Sequence, residues 1–175
     1  AVNTDAKALN ISKADTKVQI GVKLTRGRGA GNRPNVGSES AQENKDEIAA
    51  ALKGANMVFI AAGMGGGTGT GAAPVVAEIA QEMDILTVAV VTKPFNFEQK
   101  AKMEQAERGI EELKKHVDSL VVIPNEKLLV GSEKPLTMKE SFAMADDILK
   151  TGVKSIAELI TVEGMINLDF ADVET

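Results

Sequence analysis

The 175-residue sequence contains no cysteine, and its only histidine is His116. Disulfides, thiolate catalysis and cysteine-held metals are therefore excluded. One imidazole cannot build a multi-histidine zinc site. His116 closes a helical run, Glu111-Glu112-Leu113-Lys114-Lys115, where a cation suits the helix C-terminus. No apolar stretch approaches the ~20 residues needed to cross a bilayer, and the opening residues carry no signal-peptide pattern. The expected compartment is the cytoplasm. No dense Lys/Arg face occurs, and the net charge is -5, which argues against nucleic acid or an anionic membrane as partner. With 43% hydrophobic and 26% charged residues, the chain is long enough for one domain with a real core.

Glycine is what the sequence has in an informative place. Gly63-Met64-Gly65-Gly66-Gly67-Thr68-Gly69-Thr70-Gly71 follows the apolar run Met57–Ala62 and precedes the helix-like stretch Ala72–Ala80. Strand, glycine loop and helix start together form the context of a phosphate-binding turn. Glycines bring the backbone close to a ligand, and the N–H groups and dipole of the first helical turn favour an anion. Thr68 and Thr70 add hydroxyls, and Pro74 falls in the first turn. A flexible linker would not be framed by a buried strand and an apolar helix.

Strand-like runs fall at Ala1–Asn3, Lys17–Ile20, Met57–Ala62, Ile85–Val91 and Ser119–Ile123. Ser40-Ala41-Gln42-Glu43 reads as a capping box before a helix carrying Ile48, Ala49 and Leu52 on one face, with Gly54 as its stop. A second amphipathic helix is expected over Glu98–His116. Thr137-Met138-Lys139-Glu140, a further capping box, opens the longest one. Alternating strands and helices with apolar central strands predict an α/β fold, a three-layer Rossmann-like parallel sheet. In such sheets ligands sit at the carboxyl ends of the strands. Those ends are Asn3-Thr4-Asp5, Gly21 onward, Gly63–Gly71, Thr92-Lys93-Pro94 and Pro124-Asn125.

No Lys-Ser or Lys-Thr follows the glycines, so a P-loop is excluded. A Rossmann dinucleotide fingerprint is met formally by Gly67-Thr68-Gly69-Thr70-Gly71-Ala72. The next strand, however, ends Thr92-Lys93-Pro94 where a ribose-holding acid is required. A second loop, Gly27-Arg28-Gly29-Ala30-Gly31-Asn32-Arg33-Pro34, offers further backbone donors and two cations, a pairing suited to a terminal phosphate.

Gly63–Pro74 resembles the signature of the tubulin/FtsZ family of GTPases, in the wording of its bacterial cell-division branch. The resemblance runs through most of the chain. Ala1–Asp5 resembles the segment after the family's second strand, and Leu24–Gly27 leads into a loop resembling the γ-phosphate sensor. Thr92-Lys93-Pro94-Phe95-Asn96-Phe97-Glu98 resembles the ribose loop, and Val122–Asn125 the loop beside the base. Asn167-Leu168-Asp169-Phe170-Ala171-Asp172-Val173 resembles the loop that activates hydrolysis. The resemblance implies a GTPase-domain fold of that family, ending in a long core helix, with GTP or GDP as ligand. Mg²⁺ would be held mainly through the nucleotide, with no protein metal site. Gly65, Gly66, Gly67, Thr68, Gly69, Thr70 and Gly71 would hold phosphates, with Ala30 and Gly31 against the γ-phosphate. Pro94, Glu98 and Lys102 would hold the ribose; Lys102 stands where the family usually has Arg, and Gln99 where it commonly has Gly. Asn125 and Asp146 would read guanine, and Phe142 would stack on it.

The family's use of the acidic loop implies that Asn167, Asp169 and Asp172 act on the GTP of a neighbouring subunit, tying hydrolysis to head-to-tail self-assembly. The expected role is a filament of the division ring, with other division proteins as partners through segments outside residues 1–175. On this reading residues 1–175 are a partial GTP-binding domain, without the family's first strand, first phosphate loop and second domain, and weakly active or inactive alone. Two alternatives stand beside it: a Rossmann-type dinucleotide-binding domain, and a non-catalytic interaction fragment of the same fold.

Overall fold

The structure, a computed structural model, describes residues 1–161. In chain order the elements are β1 (Val2–Asn3), α1 (Ala6–Ile11), β2 (Val18–Gln19), α2 (Val22–Thr25), α3 (Pro34–Glu43), α4 (Lys45–Leu52), β3 (Met57–Gly63), α5 (Thr68–Glu82), β4 (Leu86–Lys93), α6 (Lys100–Lys114), β5 (Ser119–Pro124), α7 (Glu126–Leu129) and α8 (Met138–Thr161). Every strand pairing is parallel. β1 pairs with β2, and β4 lies between β3 and β5, with Ile60 opposite Ala89 and Val90 opposite Val121.

β4 explains the three layers. Its sequence LTVAVVTK is apolar on both faces because both are covered. Ala89 and Val91 pack with Ala73 and Ala77 of α5 and with Ala106, Ile110 and Leu113 of α6. On the opposite face α8 lies against the sheet, where Gly152 faces Val90 and Ile123. A second core joins Val18 and Ile20 to Ala41 of α3, Ile48 of α4 and Ala72, Val75 and Ile79 of α5. α5 thus serves both cores. It meets α3 almost backbone to backbone: a Cβ on Gly71 would run into the Pro34 carbonyl, and one on Gly37 into that of Gly67.

β3 has as apolar a sequence as β4 but is half-exposed, with Ala61 and Gly63 open to solvent. The difference lies in its pairing. β4 has a strand on each side, whereas β3 pairs only with β4 and its other edge lines a cleft of about 530 Å³. Across that cleft stand Ala1, Val2 and Asn3 of the β1 segment, and Thr68 and Gly69 close one end of it. The β1 segment and β3 therefore face each other across a gap lined mainly by apolar residues.

The expected long helix begins as its capping box dictates. Glu140 accepts from the Thr137 N–H and hydroxyl, both at 2.7 Å, and Thr137 Oγ1 accepts from the Glu140 N–H at 3.2 Å. The backbone bond from Thr137, followed by its hydroxyl, holds the Glu140 carboxyl below its ordinary range. Ser40-Ala41-Gln42-Glu43, by contrast, is not a helix start. These residues lie inside α3, which starts with Pro34 in its first turn. Ser40 is buried, and the Glu43 carboxylate instead accepts from the Lys23 and Leu24 N–H groups at 2.7 and 3.1 Å, capping α2. The chain breaks at Asn44, whose Oδ1 is drawn to the Gly21 N–H at 2.8 Å.

Gln99 takes φ +88° and ψ 143°, a region populated essentially by glycine. Gln99→Gly is expected to raise stability by about 1 kcal/mol, read as a higher melting temperature. A lower one would show that the Gln side chain is stabilising where it stands.

Candidate functional site

The carboxyl ends of β3, β4 and β5 bring three of the expected segments together. β3 runs directly into the glycine loop, and α5 starts at Thr68 with no side-chain cap on its N-terminus. An uncapped helix start presents N–H donors and a positive dipole end to a ligand. The loop's shape is fixed internally. Gly65 has φ +110°, and its N–H donates to Thr70 Oγ1 at 2.7 Å. Thr70 is buried, so its oxygen is committed to closing the loop. Thr68 Oγ1 lies 2.6 Å from Thr4 Oγ1, tying the loop to the end of β1. Thr4, fully buried, was not foreseen as a site residue; a polar residue directly after a strand was the available signal.

The second glycine loop lies against the first. A Cβ on Gly67 would stand 2.7 Å from Ala30 Cβ and 2.8 Å from Arg33 N, and one on Gly66 would be 3.9 Å from Asn32 Oδ1. Ala30 is buried at this contact, and Gly31 and Asn32 are exposed beside it with positive φ.

β4 delivers the Thr92–Glu98 segment to the same edge. Pro94 is buried against the glycine loop: a Cβ on Gly65 would lie 3.1 Å from Pro94 Cγ and 3.0 Å from the Lys102 carbonyl. Glu98 accepts from the Phe95 N–H at 2.8 Å and pairs with Lys102 Nζ at 3.5 Å. Its side chain is only 13% exposed, so the carboxylate is held in one place with oxygen lone pairs to spare. Lys102 thus stands between the carboxylate and the glycine loop.

Asn125 directly follows β5, and its N–H donates to the Lys93 carbonyl at 3.1 Å. The Asn125 side chain is buried, and its Oδ1 has no hydrogen-bond partner among the described residues. Such an orphan is costly and marks a place where a ligand donor belongs. Beside this edge Phe95, Phe97 and Phe142 form an aromatic cluster, with Phe142 edge-on to the other two at 5.8 and 5.9 Å. Phe95 is fully buried, whereas Phe142 is 39% exposed and so not plain core packing. Asp146 lies one turn further along α8 and is exposed. Asn167, Asp169 and Asp172 lie outside the described residues.

Residues 1–132 match the Tubulin/FtsZ family, GTPase domain. The chain belongs to the tubulin/FtsZ family. It is 60% identical over all 175 residues to the cell division protein FtsZ of Wigglesworthia glossinidia brevipalpis, of which it covers 46%. Among solved structures, an empty FtsZ dimer from M. jannaschii superposes with a TM-score of 0.93 at 55% identity, over 99% of this chain and 50% of that one. CetZ2 from Haloferax volcanii, in a GTPγS-bound protofilament, matches with a TM-score of 0.78 at 26% identity, over 93% of this chain and 50% of that one. The chain thus spans about half the length of these relatives. Membership in the tubulin/FtsZ family agrees with the expected α/β fold of parallel strands and a long last helix.

Proposed function

We propose that this chain is the nucleotide-binding part of a GTP-hydrolysing cytoskeletal protein of bacterial cell division. The observation that carries the reading is the convergence at one sheet edge of two touching glycine loops, the Glu98 loop and the buried Asn125 Oδ1, unpartnered among the described residues. Phosphates lie against Gly65–Gly71, Ala30 and Gly31. The ribose lies at Pro94, Glu98 and Lys102, and guanine at Asn125, Phe142 and Asp146. Mg²⁺ on this reading is held mainly through the nucleotide's own phosphates. Two backbone cradles and a cation suit phosphoryl transfer, where positioning and electrostatics dominate.

The attacking water is positioned in this account by Asn167, Asp169 and Asp172 of the next subunit along a head-to-tail filament. The family relation, the FtsZ dimer from M. jannaschii and the CetZ2 protofilament support self-assembly. The place of action is the cytoplasm at the division site, and further division proteins engage segments outside this chain. No helix of the described residues is long and apolar enough to cross a membrane. Nucleic acid is not a partner on this reading.

Base recognition gives the direct test. The Asp146 carboxylate accepts from guanine N1–H and the exocyclic amine. Asp146→Asn exchanges one acceptor for a donor, matching xanthine, which carries a carbonyl in place of that amine. The variant in the full-length protein is expected to lose about 10- to 100-fold in GTP affinity, the worth of a charge-assisted hydrogen bond, and to gain affinity for XTP. Unchanged GTP affinity in a competition titration would remove Asp146 from the base site.

A further inference from the structure

We propose that Gln105 is a positioning residue that clamps the two glycine loops together and so couples recognition of the terminal phosphate to the shape of the main phosphate loop. The inference rests on the nucleotide reading above, but its geometry stands independently. Gln105 lies on α6, which also sets Lys102 against Gly65 and Gly109 against Thr70. With its amide nitrogen oriented as the surrounding acceptors require, Nε2 donates to the Gly65 carbonyl at 3.1 Å and to the Asn32 carbonyl at 3.2 Å. A primary amide has two hydrogens, and each of these carbonyls takes one.

Both carbonyls belong to positive-φ residues of the loops. Gly65 has φ +110° and Asn32 has φ +56°. A planar trans peptide sets C=O and the following N–H antiparallel. Turning the Gly65 carbonyl into Gln105 therefore turns the Gly66 N–H to the opposite side. The Asn32 carbonyl fixes the Arg33 peptide in the same way, and the Arg33 N–H donates to the Ala30 carbonyl at 3.2 Å. One side chain thereby orients a donor in the main loop and the turn that carries Ala30 and Gly31. Gln105 also lines a groove of about 600 Å³ between α3, α5 and α6, on whose floor lie Thr70 and Gly71. It acts from behind the loops and touches no nucleotide.

A loop pair held in register discriminates a third phosphate better than two loops that move separately. Gln105→Met keeps the length and neutrality of the side chain and removes both donors. In the full-length protein the variant is expected to lower GTP affinity about five- to tenfold, in line with one net hydrogen bond, and to change GDP affinity less than twofold. Gln105→Lys, which restores donors to the two carbonyls, is expected to recover the GTP-to-GDP ratio. Equal weakening of both nucleotides, or a lower melting temperature with an unchanged ratio, would make Gln105 a fold residue only and overturn the proposal. Amide hydrogen exchange without nucleotide separates this from the function reading. Gln105→Met should speed exchange at Gly66 and Arg33 while leaving β4 unchanged, whatever ligand the protein takes. No difference at those two amides would sink the clamp even if GTP binds.

Discussion

Joining an N-terminal segment that supplies one further parallel strand and its following loop is expected to raise the GTP affinity of residues 1–175 by at least about a hundredfold. The expectation follows from the cleft between β1 and β3. β3 is uniformly apolar yet half-exposed, its outer edge has no neighbouring strand among the described residues, and the β1 segment lines the same cleft. An unpaired, largely apolar edge of this kind binds a strand. A strand in the cleft ends beside Thr68 and Gly69, so the loop that follows it reaches the phosphate site directly. The added loop brings further N–H donors to the α- and β-phosphates and holds Thr68 on its second side. Isothermal titration of both polypeptides with GTP measures the difference. Equal affinities would mean that the cleft is no part of the nucleotide site and that Gly63–Gly71 with Gly27–Pro34 suffices.

Asp172→Ala in the full-length protein is expected to reduce GTP turnover at least about a hundredfold and to leave GTP affinity within about twofold. A group that positions or polarises water in the transition state contributes roughly 10²–10⁴ to rate and little to ground-state binding. On the proposed mechanism Asp172 acts on another subunit's nucleotide, so its loss spares its own pocket. Single-turnover kinetics beside nucleotide titration separates the two effects. A proportionate loss of binding would place Asp172 in its own subunit's site. The same account requires wild-type specific activity to rise with protein concentration, since each active centre needs two chains.

The sequence was most legible where one physical signal dominated. The uninterrupted apolar runs of β3, β4 and β5 identified strands of a covered parallel sheet, and Thr137 and Glu140 marked the start of α8 because their reciprocal bonds are local. Local pattern failed where a distant partner decided. Ser40–Glu43 has the letters of a capping box, yet Glu43 caps α2 and Asn44 bonds Gly21, contacts that bridge some 20 residues of chain. α1 went unforeseen because six residues give little periodicity, although Asp5 accepting from the Ala8 N–H at 3.0 Å is an ordinary cap. The strain at Gln99 became visible only with its backbone angles.

The candidate site shows the same division. Its glycine loops were legible because closeness to an anion excludes side chains, and the structure puts Gly66 and Gly67 against Ala30, Asn32 and Arg33 as one surface. The strand pattern placed Asn125 at a carboxyl end, and only its base-reading role came through family resemblance; its unpaired buried oxygen is a property of the fold. Gln105 gave no sequence signal at all. Its importance lies in the direction of one amide toward two loops separated by more than thirty residues.

The most direct test of the central claim, that these strand ends form a guanine-nucleotide site, is a competition titration on the N-terminally extended chain. Labelled GTP is displaced in turn by GTP, GDP, ATP and NAD. The account predicts displacement by GTP and GDP at concentrations at least about a hundredfold below those needed for ATP or NAD, from the charge-assisted bonds to the base. Displacement by NAD or ATP at the same concentration as GTP would contradict it.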